Sequence, residues 1–182
     1  MKKNSCFIFL LCITAATAIA QPQKTISANK KSILASVEKH EKELTGLSDK
    51  IWGFAEIAMK ETQSSKVLAD YAEAQGFAVQ RGVADIPTAF IASFGTGKPI
   101  IAVMGEFDAL PGLSQKASPV KEALDDGAAG HGCGHNLFGA GSLGAAVAIK
   151  ELIAAGKLKG TVRFYGTPAE EDKAGKVYMA RA

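Results

Sequence analysis

The chain has 182 residues, of which 47% are hydrophobic, and its formal net charge at pH 7 is +3. A chain this apolar and this weakly charged is not mainly disordered, and its length suffices for one globular domain with a sizeable core. Aromatic residues make up only 7% of the sequence and no run of Lys and Arg forms a basic stripe, so nucleic acid is not expected as a partner.

Residues 1–20 are typical of a secretory signal peptide. Two lysines follow the initial Met, residues 6–13 form an unbroken apolar run, and Ala-Ile-Ala at positions 18–20 matches the small-residue rule for cleavage before Gln21. We therefore predict an exported protein, periplasmic or secreted, without membrane contact after cleavage. The alternative is an uncleaved membrane anchor, which the shortness of the apolar run disfavours.

The following residues predict helices and strands in alternation. Apolar residues at helical spacing from Ile33 to Ile51 predict a first helix, and a second is expected from about Ser64 to Gln75, closed by Gly76. A long Ala-rich helix is expected at about residues 137–154, after the Gly-rich stretch 127–134. The segments of β-type composition are 77–80, 88–94, 99–104 and 161–165.

A strand, a loop, a long helix and a second strand in succession are typical of an α/β domain. We therefore predict a doubly wound or related three-layer fold with a parallel sheet. In such sheets the chemistry lies in the loops that follow the carboxyl ends of the strands. This rule selects three places in the sequence: Glu106 with Asp108, residues 131–135, and Glu170 with Glu171.

The strongest chemical signal is the sequence His131-Gly-Cys133-Gly-His135. Thiolate and imidazole are zinc ligands, and an extended segment with alternating glycines would point all three side chains the same way. Cys133 is the only cysteine beyond the predicted signal peptide, and metal binding would explain a free thiol in an oxidising compartment. The alternative is a Gly-rich turn with a buried cysteine. The remaining histidine, His40, is expected to be solvated on a charged helix face.

Acidic pairs mark the other two places. One of the adjacent carboxylates Glu170 and Glu171 could bind a metal while the other acts as a general base on a water. The alternative is a solvated charge pair that opens a helix, where Glu is favourable. Glu106 and Asp108 stand two residues apart after an apolar strand, so they could share one side and ligate or orient a ligand.

Gly139, Gly141 and Gly144 match the dinucleotide-binding pattern GxGxxG. That pattern must directly follow a strand and open a helix, whereas here it lies within the helix pattern. Close packing of small residues between a helix and a sheet is the preferred explanation.

The succession of GEFDALP, GHGCGHN opening a long helix, and TPAEE resembles the zinc amidohydrolase branch of the aminoacylase/carboxypeptidase G family of metallopeptidases. The resemblance covers residues 44–182 and points to the group that hydrolyses aminobenzoyl-glutamate, hippurate and auxin conjugates. It implies a zinc-peptidase-like catalytic domain with two divalent metal ions, Zn or Mn. It also implies a small-molecule partner, an N-acyl or N-aroyl amino acid whose amide bond is hydrolysed, and a homodimer as an option for the full-length form.

The resemblance carries over roles residue by residue. It implies Glu170 as the general base that takes a proton from the attacking water, and Asp108 as the aspartate that supports the metal site. It implies three metal ligands: Cys133, His135 and Glu171.

Three further positions have no assigned role. Glu106 stands where many family members have Asp or His, and Asn136 replaces a common Asp. His131 is expected beside the metals rather than on them.

The family also uses two more histidines and a lid domain beyond these motifs. No histidine follows His135, and the sequence ends inside an apparent helix. We therefore expect a signal peptide at 1–20, a polar leader and first helix at 21–43, and the N-terminal part of a catalytic domain at 44–182, with the lid absent. The chain alone is expected to be inactive, and the alternative function is a catalytically incomplete metal-binding fragment.

Overall fold

The computed structural model describes residues 26–182, so the predicted signal peptide lies outside the described residues. All the helices and strands predicted within this range are present, although the first predicted helix is divided at His40 into two. The elements in chain order are α1 (Ala28–Lys39), α2 (Glu41–Phe54), α3 (Thr62–Ala74), β1 (Ala78–Arg81), a 3₁₀ turn (Val83–Asp85), β2 (Phe90–Thr96), β3 (Ile100–Gly105), α4 (His135–Ala154), β4 (Gly160–Gly166), α5 (Glu170–Lys173) and α6 (Gly175–Met179).

The four strands form one sheet in the order β1-β2-β4-β3. The α/β class is confirmed, but the prediction of a wholly parallel sheet is wrong, because only β3 and β4 are parallel. A parallel pair needs a crossover connection of a dozen or more residues. Only the link between β3 and β4, which contains α4, is that long, whereas the links between β1, β2 and β3 are short turns.

The helices cover one face of this sheet. α4 packs on β3 and β4, and α3 packs on β1 and β2, around a core that includes Phe90, Phe107, Leu143 and Phe164. On the opposite face, Met179 of α6 packs near the 3₁₀ turn. Within residues 26–182 the fold therefore has one complete helical layer and the short α6 on the other side, rather than three full layers. The described residues contain this one sheet and no separate lid.

Helix α4 is the central helix of the core. It spans 20 residues, and an 18-residue window within it has a mean hydropathy of 1.5, which by length and composition alone would allow it to cross a membrane. Its apolar side chains instead contact the sheet and the helices α1 and α2, with Leu143, Ala146 and Val147 fully buried. The composition of α4 is therefore accounted for by its place in the core.

Gly139 lies where α4 meets the end of β3. A Cβ at this position would lie 2.6 Å from the backbone oxygen of Glu106, whereas a Cβ at Gly141 would meet nothing within 4 Å. We expect Gly139→Ala to destabilise the fold by about 1–3 kcal/mol, because two backbone segments must separate. Gly141→Ala is the matched control and should stabilise the helix by up to about 1 kcal/mol. Urea unfolding of both variants measures the difference, and equal effects would contradict the packing explanation.

His40 is buried rather than solvated, with only 7% of its surface exposed. Its ring nitrogens lie 3.1 Å from Oε1 of Glu151 and 3.2 Å from the hydroxyl of Tyr71. Ser36, four residues before His40, and Leu47, seven residues after it, are also buried. His40 therefore lies on the face of α1 and α2 that packs inward, where it contacts α3 and α4.

Candidate metal centre

The parallel strands β3 and β4 end at the same level, with Gly105 paired to Gly166. The chain that follows each strand therefore meets the other at one edge of the sheet, beside the first turn of α4. Asp108 comes from the first of these loops, Glu171 from the second, and His135 is the first residue of α4. This arrangement brings together residues that are far apart in the sequence.

Cys133, His135 and Glu171 form one cluster at this edge. Their potential ligand atoms all lie within 4.8 Å of one another. His135 is buried, Glu171 is half-buried and Cys133 is exposed, so the cluster is open to solvent on the side of the thiol. The three residues proposed as metal ligands on the basis of the resemblance are therefore neighbours in space.

Asp108 fixes the orientation of this cluster. It is only 1% exposed; its Oδ1 lies 3.0 Å from Nδ1 of His135, and its Oδ2 accepts the backbone N–H of Glu171 at 3.0 Å. Burial alone opposes ionisation of Asp108, but the hydrogen bonds from His135 and Glu171 outweigh it and hold the pKa of Asp108 below its usual value. Asp108 therefore supports the site without being part of the three-residue cluster.

Two more carboxylates face the free nitrogen of His135. Oε2 of Glu106 lies 3.4 Å from His135 Nε2, and Oε2 of Glu170 lies 3.8 Å from the same atom. Glu106 is largely buried and pairs with Lys176, whereas the side chain of Glu170 is 37% exposed. Glu106, which the sequence left without a role, thus belongs to the immediate surroundings of the site.

The residues present fit a divalent metal ion. Nδ1 of His135 is hydrogen-bonded to Asp108, so Nε2 faces the cluster. Carboxylates orient histidine ligands in the same way at known metal sites. Oε1 of Glu171 is buried and has no hydrogen-bond partner within residues 26–182. Donor atoms of one tetrahedral zinc ion lie about 3.6 Å apart, because Zn–N and Zn–S bonds are about 2.1 and 2.3 Å long. The ligand atoms of the cluster lie within 4.8 Å of one another, so the side chains would have to move closer together to hold an ion.

Metal uptake by this cluster should release protons. The hydrogen bond with Asp108 raises the pKa of His135, and desolvation together with the nearby carboxylates raises the pKa of the Cys133 thiol. Both groups must lose their protons to bind a cation, so affinity must fall as pH falls. We expect the binding constant for Co²⁺ to drop about 10- to 100-fold per pH unit from pH 8 to pH 6. Titration at several pH values measures this, and a pH-independent constant would exclude both ligands.

His131 does not join the cluster, and the prediction that an extended segment points His131, Cys133 and His135 the same way is wrong. The Nε2 atom of His131 lies 3.0 Å from the carbonyl oxygen of Ile51 in α2. Burial lowers the pKa of His131, which favours the neutral ring. The segment bends and then enters α4 through Gly134 at a positive φ of 85°, so only the two residues nearest the helix reach the cluster.

Asn136 has a structural contact away from the cluster. It is buried, and its Nδ2 donates to the hydroxyl of Ser48 at 3.0 Å. This hydrogen bond ties the first turn of α4 to α2. Sequence reasoning had left the role of Asn136 open.

The predicted loop carrying Glu170 and Glu171 is a short helix, α5, that begins at Glu170. The pair opens a helix, as the alternative predicts, and Glu171 also lies beside Cys133 and His135. The sequence motifs give no indication of Glu61 or Lys176. Their partners, Ala169 and Glu106, are 108 and 70 residues away, so no local pattern could have revealed them.

A small cavity of about 290 Å³ adjoins the cluster. Glu171 and Asp172 form its polar side. Its remaining lining is apolar and comes from Ile57, Ala58, Ala109, Leu110 and Pro111.

Comparison with known proteins agrees with this architecture. Residues 102–182 match the family model described as Peptidase family M20/M25/M40. Over 147 residues, which cover 80% of this chain, the sequence is 46% identical to a subunit of the p-aminobenzoyl-glutamate hydrolase of Escherichia coli. Over 168 residues it is 30% identical to human Xaa-Arg dipeptidase, again with 80% of the chain covered. The chain spans about a third of the length of these relatives, 31% and 34% respectively.

A solved structure shares the fold. It is a Bacillus subtilis protein described as a dinuclear metal-binding peptidase of the M20 family, and its TM-score with this chain is 0.67 at 28% sequence identity. The match covers 79% of this chain and 39% of the other protein.

Proposed function

The chain belongs to peptidase family M20/M25/M40 through residues 102–182, and from this premise we propose that it serves metal-dependent hydrolysis of the amide bond of N-acyl or N-aroyl amino acids. Aminobenzoyl-glutamate is the substrate class proposed, in line with the name of the E. coli relative. Two divalent ions, Zn or Mn, are proposed as cofactors, in line with the description of the B. subtilis protein as dinuclear. A homodimer of the full-length form stays a prediction.

The observation that carries the proposal is the cluster of Cys133, His135 and Glu171. It lies at the carboxyl ends of two parallel strands, where α/β folds place their chemistry. The Asp108 carboxylate contacts the ring of His135 and accepts the backbone N–H of Glu171, and so orients both residues. Glu170, the proposed general base, lies next to the cluster and is partly exposed.

Each residue has a proposed task. Cys133, His135 and Glu171 would hold a metal ion, and bound divalent ions supply Lewis-acid chemistry and acidify water. The Glu170 carboxylate takes a proton from the attacking water, because it is exposed and 3.8 Å from His135 Nε2. Glu170 then returns this proton to the leaving amine nitrogen. Asp108 keeps Nε2 of His135 directed at the cluster throughout.

The cavity beside Glu171 supports an acyl or aroyl group as one part of the substrate. Its volume of about 290 Å³ and its apolar lining suit an aromatic ring or a short alkyl chain better than a charged group. The polar edge formed by Glu171 would then lie next to the amide bond.

The second candidate function is a catalytically incomplete metal-binding fragment. The observation that favours it is that residues 26–182 offer one cluster of three potential metal ligands, whereas two ions need about four donors each, some of them shared. The proposal is therefore that the 182-residue chain binds metal but is inactive, or nearly so, on its own.

A chimera tests the function directly. In it, this chain replaces the corresponding 147-residue segment of the E. coli relative. We expect the chimera to hydrolyse p-aminobenzoyl-glutamate, to lose activity with a chelator, and to regain it with Zn²⁺ or Mn²⁺. The 182-residue chain, assayed in parallel, should bind the metal without turnover. An inactive but folded and metal-loaded chimera would contradict the enzymatic proposal and favour the fragment.

Export is proposed from residues 1–20 alone. Their basic start, apolar run and small-residue cleavage site support a signal peptide and a periplasmic or secreted location. N-terminal sequencing of protein from the periplasm or medium should give Gln21 as the first residue, and a chain that keeps Met1 would contradict cleavage.

A further inference from the structure

Glu61 is a fully buried carboxylate at the start of α3, outside the proposed metal cluster. Its Oε1 accepts the backbone N–H of Ala169 at 2.7 Å, and its Oε2 accepts the hydroxyl of Thr88 at 3.2 Å. A buried carboxylate costs free energy unless hydrogen bonds compensate for the lost water. These two hydrogen bonds are contacts that an apolar side chain at this position could not make.

The partner Ala169 has an uncommon backbone. Its φ of 56° and ψ of 42° are left-handed, it is fully buried, and it directly precedes the Glu170–Glu171 pair. Residues other than Gly rarely adopt this left-handed conformation, and they keep it only where the surrounding structure fixes it. The hydrogen bond from the Ala169 N–H to Oε1 of Glu61 is 2.7 Å long, at the short end of the range for N–H···O bonds, which suits it to fix a strained backbone.

The segment that carries the two glutamates is thus held at both ends. Before the pair, Glu61 binds the N–H of Ala169; within the pair, Asp108 binds the N–H of Glu171 at 3.0 Å. The carbonyl oxygen of Ala169 accepts the N–H of Lys173 at 3.1 Å and so starts α5. Rotation of the Ala169 backbone would therefore redirect α5 and the carboxylates of Glu170 and Glu171.

We propose that Glu61 is a positioning residue of the metal centre: by holding the left-handed Ala169 backbone, its carboxylate directs Glu170 and Glu171 towards His135. This inference rests on the proposed function, since it assigns Glu61 a role in metal binding. The required property is a hydrogen-bond acceptor at the place of Oε1, and Gln supplies one whereas Ala does not.

Three variants of the full chain separate this role from mere packing. Glu61→Ala removes the acceptor, Glu61→Gln keeps an amide oxygen for Ala169, and Thr88→Val removes the other hydrogen bond of Glu61 with little change in volume. Two measurements are made on each variant. The first is Co²⁺ affinity together with the visible absorption of the bound ion, and the second is hydrogen exchange of the Ala169 amide in the metal-free chain.

We expect Glu61→Ala to weaken Co²⁺ binding about 10- to 100-fold, to alter the absorption spectrum and to speed exchange of the Ala169 amide. Glu61→Gln and Thr88→Val should stay within about threefold of the wild type. If Glu61→Ala does not fold, Glu61→Asp, whose carboxylate is one methylene shorter, takes its place with the same expectation.

The inference would be overturned if Glu61→Ala, or Glu61→Asp in its place, bound Co²⁺ with the affinity and absorption spectrum of the wild type. It would also be overturned if Glu61→Gln or Thr88→Val lost as much Co²⁺ affinity as Glu61→Ala, because charge or packing would then be responsible. A wild-type chain that binds no Co²⁺ would overturn the proposed function and the role of Glu61 at a metal centre. Exchange of the Ala169 amide would still show whether Glu61 holds this backbone, so the two failures are distinguishable.

Discussion

Replacing Glu170 with Gln is expected to slow p-aminobenzoyl-glutamate hydrolysis by the chimera about 10²- to 10⁴-fold, which is the scale of losing a general base. Gln is similar in shape but cannot accept the proton of the attacking water. Metal content should stay at the wild-type level, because Glu170 lies outside the three-residue cluster. The measurement is kcat together with bound metal determined on the same samples.

Asp172→Asn is the matched control for Glu170→Gln. Asp172 lies on the same short helix and pairs with Lys173, so its neutralisation removes a nearby negative charge without removing the proposed base. Because Asp172 also lines the cavity proposed for the acyl group, we expect an effect on KM at most and little change in kcat. A control variant that loses as much rate as Glu170→Gln would assign the effect to overall charge and remove the general-base role.

Replacing Cys133 with Ser is expected to weaken Zn²⁺ or Co²⁺ binding by more than about a hundredfold, since even residues that act behind the ligands cost 10- to 100-fold in affinity. Cys133 is exposed, so the substitution should leave folding unchanged. Glu171→Gln should weaken binding similarly, because it removes the ionised oxygen from the cluster. Competition with a chelating dye measures these affinities.

The histidines of the same motif provide an internal control. His135→Gln should lose metal like Cys133→Ser, whereas His131→Gln should retain affinity within about threefold, because its ring contacts the carbonyl oxygen of Ile51. Equal losses in both histidine variants would show that the segment rearranges around the metal and that His131 is a ligand after all.

The elements and the kind of chemistry are predictable from the amino-acid sequence. Hydrophobic periodicity located the helices and strands, because the period of the apolar residues follows directly from helical and extended backbone geometry. Cys133, His135 and Glu171 were identified as a group through their motifs and the family resemblance. The cluster formed by these three residues agrees with that identification. The sequence also contains the direction of the strands, since the short connections make the consecutive strands β1, β2 and β3 alternate in direction.

The residues that support the site are set by long-range packing. His40 is buried against Tyr71 of α3 and Glu151 of α4, and the ring of His131 contacts a carbonyl oxygen of α2 instead of the cluster. Glu61 and Lys176 act on residues 108 and 70 positions away, and contacts of that separation leave no periodic or local signal. Local sequence encodes backbone preference and side-chain chemistry, whereas the distances that make a metal centre arise from packing between segments remote in the chain.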